Sequence, residues 1–449
     1  MLIEKMLADG MSPLTSAHCG FYAIDVETGQ SLYRHNAHQL FTPASLVKLV
    51  TTAAALEHLG ENYRFSTAVD FQGTLSKEGS IQGDLILKGG ADPTFNTQGS
   101  QKLVDQLLKK KVRSVEGQVK TNVDFLQGSE LLQHAEWQDL AGDSAPEVST
   151  LSINENVVNL KIAPSMLGNL AHVALEQDAP YCHLVNQLVT LEQSQPESIW
   201  QKDDNPSFQI KRGFCDNYFT ITGNISKQQD PLEEKIAVHA PAEYARQIFL
   251  KQLHQAGISV KNKLFDTNGL SCQELISLHS IPLSQVLYKM NKESQNLIAE
   301  LLIRTLGKNG SCALAEGIKV VQRFLPFDTY TYMLHDGAGL SRQNLLSPHQ
   351  IVSLLQQMYS SSRRDIVLAS LPIAGKDGTL QQRFEGTVLE GILHAKTGTL
   401  TNVCNLAGYI LGKRKIAFCF CMNQHLLTAQ ACRAYQDQLL LNLYEHFND

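Results

Sequence analysis

Near both ends of the chain, apolar and polar positions alternate with the two-residue spacing of strands joined by turns. Residues 20–26, a turn at Glu27-Thr28-Gly29-Gln30 and residues 31–34 predict one hairpin. Residues 405–411, a turn at Gly412-Lys413-Arg414 and residues 415–421 predict a second, and the apolar spacing over 429–447 predicts a closing helix. Between about 65 and 279 the texture differs. Short strand candidates such as 83–88 and 157–162 alternate with polar loops carrying Gly89-Gly90, Asp92-Pro93 and Asp230-Pro231, the pattern of a β-rich insertion. Its first half also holds helical spacing over 102–109, which suggests a smaller subdomain nested within it.

A long apolar run opens at Phe41-Thr42-Pro43-Ala44-Ser45-Leu46-Val47-Lys48-Leu49 and closes at Leu59-Gly60. Thr42 as cap, Pro43 as first helical residue and Gly60 as terminator predict a buried helix. Near its first turn the side chains with chemistry are Ser45 and Lys48, three apart and therefore on one face. A serine hydroxyl needs a base to become a nucleophile, and a lysine desolvated among apolar neighbours loses basicity until it can be that base. The helix N-terminus adds a field that favours developing negative charge. Alone, the pair arises often by chance, and Lys48 by itself reads as a lysine laying its stem on an apolar surface.

From Leu283 onward the spacing is helical again. Met290-Asn291-Lys292-Glu293-Ser294-Gln295-Asn296 leads into an amphipathic helix that ends at Gly307, so Ser294 and Asn296 sit at a loop-to-helix junction, where either could simply cap the helix. His335-Asp336-Gly337-Ala338-Gly339-Leu340-Ser341-Arg342 is a glycine-rich turn. His394-Ala395-Lys396-Thr397-Gly398-Thr399 precedes the second hairpin. His335 and His394 carry no Ser-His-Asp or Gly-x-Ser-x-Gly context and are read as neighbours without a role.

With 449 residues the chain exceeds one ordinary core, and two or three domains are expected. A hydrophobic fraction of 43% with 18% charged residues excludes wholesale disorder, and a net charge of −6 offers no attraction to nucleic acid or anionic lipid. No apolar stretch is long enough to span a bilayer, since even the run ending at Leu59 carries Lys48, Glu57 and His58. The nine cysteines are scattered, with Cys419 and Cys421 on one face of a strand, and imply neither a disulfide framework nor a zinc site. Residues 1–10 lack the apolar core of a secretory signal and read as a short helix; a protein working outside the cytoplasm would need a signal already removed or lying upstream.

Taken in order, Ser45-x-x-Lys48, Ser294-x-Asn296 and Lys396-Thr397-Gly398 resemble the three-motif signature of penicillin-binding proteins and serine β-lactamases. The gap of about 250 residues between Ser45 and Ser294 looks like the class C low-molecular-mass penicillin-binding proteins, the D-alanyl-D-alanine carboxypeptidase/endopeptidases of peptidase family S13. Further stretches agree: 83–93, Ser144-Ala145-Pro146 leading to 151–156, 296–300, 336–342 and 396–400.

The resemblance implies an α+β fold, a β-lactamase/transpeptidase-like domain of antiparallel sheet flanked by helices and split by a large β-rich insertion. In residue terms that is a catalytic domain over 1–65 and 275–449, an inserted domain over 66–90 and 160–274, and a nested subdomain over 91–159. It implies a serine D,D-peptidase acting on peptidoglycan peptides, with Ser45 as nucleophile, Lys48 as its base and Ser294 as proton relay to the leaving amine. Asn296 would orient Lys48 or bind substrate backbone. Lys396 and Thr397 would attract a substrate carboxylate, Gly398 would let the strand approach, and the amides of Ser45 and Thr399 would form the oxyanion hole. No metal or organic cofactor is implied, and β-lactam antibiotics would be covalent inhibitors. The resemblance places the protein in the periplasm or elsewhere outside the cytoplasm. Family members can hold a stem-peptide amine with an acidic side chain of the inserted domain; Glu155, in Asn154-Glu155-Asn156, is the candidate here. Rival readings are a β-lactamase or esterase on the same scaffold and a non-catalytic peptidoglycan-binding protein.

Overall fold

The computed structural model describes residues 17–128, 132, 135, 136, 139–175, 179, 181–194, 207–213, 215–265 and 270–448, so the helix expected over 1–10 lies outside the described residues. The chain divides into two units, Met1–Tyr63 with Pro282–Asp449, and Arg64–Ile281. The second is inserted into the first.

The first unit is organised on a five-stranded antiparallel sheet. Its strands are β1 (His18–Asp25), β2 (Ser31–His35), β3 (Leu393–Leu400), β4 (Val403–Leu411) and β5 (Lys415–Asn423), in the order β3-β4-β5-β1-β2. Both hairpins expected from the sequence are present. They join because β1 pairs with β5, Phe21 opposite Phe420 and Ala23 opposite Phe418, which sets the two chain ends side by side. The turn between β1 and β2 closes where the Asp25 carboxylate accepts the amides of Glu27 and Thr28 at 3.1 and 3.0 Å and Gly29 takes a φ of +76°.

Strands β4 and β5 are buried along nearly their whole length, so both faces of the sheet are covered. On one face Phe21, Leu406, Ile410, Phe418 and Phe420 pack with Leu439, Leu440 and Leu443 of the closing helix, Ala429–Asn448. On the other, the buried Tyr409 hydroxyl donates to the Leu355 carbonyl at 2.8 Å, tying the sheet to the helix Pro348–Ser360. Ser347 and Gln350 form a reciprocal capping box at the start of that helix.

Helix α1 (Val47–Leu59) runs through the interior. Every residue from Val47 to Leu56 is buried, so the helix shows no polar face. Burial of Val47, Leu49, Val50 and Leu56 contributes about 1.5–3 kcal/mol each. Gly60, at φ +80°, ends the helix as expected. Its start differs from the sequence reading. Pro43 leads into a 3-10 turn, Ala44–Leu46, and Thr42 caps nothing. The Thr42 amide donates instead to Asn423 Oδ1 at 2.7 Å, and Ala44 takes a φ of +49°, so the chain turns sharply into the helix rather than entering it along its axis.

Helices α2 (Leu283–Lys292) and α3 (Asn296–Leu306) follow the insertion, and α3 ends at Gly307 as its spacing indicated. Gln295 is the residue before α3 and no side chain caps it, so neither Ser294 nor Asn296 has the capping role that was open to them.

In the second unit a six-stranded sheet is built from Ser66–Leu75, Ser80–Lys88, Ser114–Val115, Val119–Asn122, Ser259–Val260 and Cys272–His279. The helices Thr97–Lys109 and Pro241–Gln255 supply Leu103, Val104, Leu107, Phe249 and Leu253 to its core. Two three-stranded sheets, one holding Val157–Ala163 and the other Tyr218–Ser226, share a smaller core around Leu160, Leu188 and Ile221. Glu155 has a φ of +60°, and its carboxylate accepts from Lys235 Nζ at 3.2 Å. None of the nine cysteines is in a disulfide, and the sulfurs of Cys419 and Cys421 lie 3.6 Å apart on one face of β5. Among the described residues no helix is long and apolar enough to cross a membrane.

Candidate active site

Ser45 occupies the middle of the 3-10 turn that leads into α1, and Lys48 lies in the first turn of that helix. The Lys48 ammonium donates to Ser45 Oγ at 2.9 Å, to Asn296 Oδ1 at 2.5 Å and to the Ala338 carbonyl at 2.8 Å. Three donors meet three acceptors, which fixes the nitrogen beside the serine oxygen. Lys48 has no solvent exposure. Burial lowers its pKa to about 7, against the opposing pull of the Asp336 and Glu300 carboxylates, so near neutral pH a large share of Lys48 is uncharged and able to take a proton.

The Ala338 carbonyl is itself held from beneath. The fully buried Glu300 carboxylate accepts the amides of Gly337 and Ala338 at 2.9 and 3.0 Å and pairs with Arg304 one turn along α3. Asp336 accepts the amides of Gly339 and Ser341 at 2.7 and 2.6 Å and the Asn344 side chain at 2.9 Å, while Thr51 of α1 donates to the Gly337 carbonyl at 2.7 Å. The turn over 336–342 thus braces Lys48. From the sequence, 336–342 reads as a structural turn bordering the site and 296–300 only as a stretch that agrees with the family; a buried carboxylate that accepts consecutive backbone amides leaves no trace in spacing.

Gly339 marks how closely this turn meets the backbone beside Ser45. Its φ is +87°, and a Cβ built there would lie 1.9 Å from the Ala44 carbonyl oxygen. Gly339→Ala is therefore expected to destabilise the protein by about 2–4 kcal/mol and to slow acylation of Ser45, because the backbone beside the serine must move. Denaturant unfolding combined with an acylation rate checks this; a variant with unchanged stability and rate would contradict it.

The second and third motifs form a matching pair. Ser294 stands between α2 and α3 with a φ of +60°, a strained conformation for serine, and its Oγ accepts from Lys396 Nζ at 2.8 Å. Lys396, on β3, has no solvent exposure and donates a second bond to the Thr397 carbonyl at 3.0 Å. Burial, reinforced by the charge of Lys48, holds its pKa well below the usual lysine value. Gly398 passes the serine turn so closely that a Cβ would fall 2.7 Å from the Pro43 carbonyl oxygen. Thr397 and Thr399 alternate with Lys396 and Gly398 along the strand and lie on its more open side.

The eight residues of the three motifs and the oxyanion hole belong to the first unit, and Glu155 to the second. Hydrogen bonds join Ser45, Lys48 and Asn296 in one group and Ser294 and Lys396 in another, and Gly398 brings the strand against the serine turn. Of the two histidines, His335 donates its amide to Asn344 Oδ1 at 2.7 Å, and His394 Nδ1 lies 3.1 Å from the Leu368 carbonyl.

The model of the D-Ala-D-Ala carboxypeptidase 3 (S13) family matches residues 2–443. The chain belongs to this family. Among S13-like relatives, the D-alanyl-D-alanine carboxypeptidase of Actinomadura sp. (strain R39) is 30% identical over 99% of this chain and 84% of its own length. The D-alanyl-D-alanine carboxypeptidase DacB of Haemophilus influenzae is 27% identical over 95% of this chain and 90% of the relative. The crystal structure of penicillin binding protein 4 (dacB) from Haemophilus influenzae superposes with a TM-score of 0.82 at 24% identity, covering 98% of this chain and 99% of that one. The same H. influenzae protein complexed with a novel β-lactam gives a TM-score of 0.77 at 24% identity, covering 100% and 98%. These superpositions show that the S13 chain has the penicillin-binding protein fold.

Proposed function

We propose that the protein is a serine D,D-peptidase that removes terminal D-alanine from peptidoglycan stem peptides and cleaves D-alanyl cross-links through an acyl-enzyme on Ser45. The observation that carries this reading is the buried Lys48 ammonium, held 2.9 Å from Ser45 Oγ by two further acceptors. Family membership supports it.

In the forward step the uncharged Lys48 accepts the Ser45 proton as Oγ attacks the penultimate D-alanyl carbonyl. Negative charge develops on the carbonyl oxygen, where the backbone amides of Ser45 and Thr399 receive it. Ser294, held by Lys396, relays a proton to the leaving amine, taking one up as it gives its own, so that the proton Lys48 took from Ser45 is made over to the departing terminal D-alanine or cross-linked partner. Water then hydrolyses the ester. Because the Lys396 ammonium is buried and turned toward Ser294, its charge reaches a substrate carboxylate as a field, and Thr397 supplies a hydroxyl nearer the surface. A β-lactam enters the same route as far as the ester. The proposed place of action is outside the cytoplasm, where peptidoglycan lies.

The test is release of free D-alanine from a pentapeptide ending in D-Ala-D-Ala, with and without prior benzylpenicillin. Release that penicillin abolishes is expected. No release would contradict the reading, and rapid hydrolysis of the penicillin itself would favour a β-lactamase. In the same assay Ser294→Ala is expected to lower kcat by about 10²–10³, the size of one general acid contribution, with KM changed much less.

A further inference from the structure

The carboxylate at the end of a D-Ala-D-Ala peptide needs donors that the buried Lys396 cannot offer directly. Its ammonium has no solvent exposure and is committed to Ser294 Oγ and the Thr397 carbonyl. On the open side of β3 the donors are hydroxyls. One of them belongs to a different element: Thr397 Oγ1 donates to Thr379 Oγ1 at 3.0 Å, and Thr379 lies exposed in the short turn Gly378–Leu380. A hydroxyl that accepts in this way keeps its own proton to give to a ligand.

Residues 372–380 are fastened on two sides. Along the outer edge of β3, the Ala374 amide donates to the Leu393 carbonyl and the Ala395 amide to the Pro372 carbonyl, each at 2.9 Å. Towards α2, both carboxylate oxygens of Asp377 meet Lys292 Nζ, at 2.7 and 2.6 Å, and Oδ1 also accepts the Ile373 amide at 2.8 Å. Gly378 takes a φ of +58°, and a Cβ there would come 2.7 Å from the Lys292 carbonyl oxygen, so a side chain at this position would push the turn off α2. Lys292 is only 4% exposed. Desolvating an ammonium is costly unless its partner is held in good geometry, and here that geometry fixes a turn whose neighbouring residue reaches the third motif. The pair also cancels the Asp377 charge, which would otherwise repel an arriving carboxylate.

We propose that Thr379 forms part of the subsite for the substrate's terminal carboxylate, pairing its hydroxyl with that of Thr397, and that the Asp377–Lys292 pair positions it there. This rests on the serine D,D-peptidase reading and deepens it by assigning a specificity residue outside the three motifs.

The test uses the full chain with Thr379→Val, which keeps the shape and removes the hydroxyl, and Thr379→Ser, which restores it. Kinetics are measured on a tripeptide ending in free D-Ala-D-Ala, and acylation by benzylpenicillin and by its methyl ester is followed by intact mass. For the valine variant, KM is expected to rise about 5–20-fold with kcat within about threefold, corresponding to one lost charge-assisted hydrogen bond. Acylation by benzylpenicillin should fall to a similar degree while acylation by the methyl ester stays within about twofold of wild type, and serine should restore both. Unchanged kinetics in the valine variant, equal losses on acid and ester, or a serine variant as impaired as valine would overturn the assignment. Failure of the wild-type protein to form any penicilloyl adduct would instead overturn the peptidase reading, and the subsite with it.

Discussion

Ser45→Ala is expected to lower D-alanine release by about 10⁴-fold or more while moving the thermal midpoint by no more than about 2 °C. The large kinetic effect follows because removing a nucleophile abolishes the covalent route, and what remains is only binding and oxyanion stabilisation of attack by water. The small structural effect follows from the site. The Ser45 side chain is half-buried, and the hydrogen bond it accepts comes from a lysine that keeps two other acceptors. A rate assay beside a thermal melt separates the two. A variant that loses activity only because it has unfolded, or one that keeps a tenth of the rate, would contradict the assignment.

Lys48→Met is expected to be nearly as damaging to rate, by about 10³–10⁴-fold, and to reveal the lysine in the pH dependence of stability. The folded pKa of about 7 lies below the usual value of 10.5, with burial as the main cause. Below pH 7 the folded and unfolded chains both hold the proton, and folding carries the full penalty of burying the ammonium. Between 7 and 10.5 the unfolded chain holds a proton that the folded chain has released, so wild-type stability rises with pH across that window. The rise attributable to Lys48 is on the order of 4 kcal/mol. Methionine removes it. At neutral pH the relief of burial and the loss of the Lys48 bonds to Asn296 and Ala338 nearly offset each other, at about 1–3 kcal/mol for each bond, and with rising pH the variant becomes the less stable protein. Chemical denaturation at pH 7 and at pH 10 measures this; parallel curves for the two proteins would mean that Lys48 is charged throughout. The same proton makes wild-type acylation increase as pH rises through about 7.

How much of this was legible in the sequence depends on how local its cause is. The hairpins were legible because side-chain alternation and turn residues such as Gly29 are read within a few positions. The Ser-x-x-Lys pair was legible because three residues of helix set the geometry. The entry to α1 was misread: Thr42-Pro43 has the composition of a helix start, but Asn423, from the far end of the chain, takes the Thr42 amide, and Ala44 adopts a left-handed conformation in a tight 3-10 turn. Ser294 was found by its motif and not by its conformation, since a positive φ is not written in the residue type serine. Asn296 offered more than one role in the sequence, and in the structure its Oδ1 accepts from Lys48 Nζ at 2.5 Å. The support beneath Lys48 was not legible in function. Glu300 matters through the two backbone amides it accepts, and Ala338 through its carbonyl, so neither depends on a side-chain pattern that spacing reveals. Thr379 was missed for a related reason: its place beside Thr397 comes from an ion pair between residues 85 positions apart.

The most direct measurement is the intact mass of the protein after brief incubation with benzylpenicillin, followed by peptide mapping of the product. The expected result is a single penicilloyl group on the peptide that contains Ser45, formed faster as pH rises through 7 and absent from Ser45→Ala. An adduct on another residue, or an unmodified protein beside intact penicillin, would contradict the claim that Lys48 makes Ser45 a nucleophile.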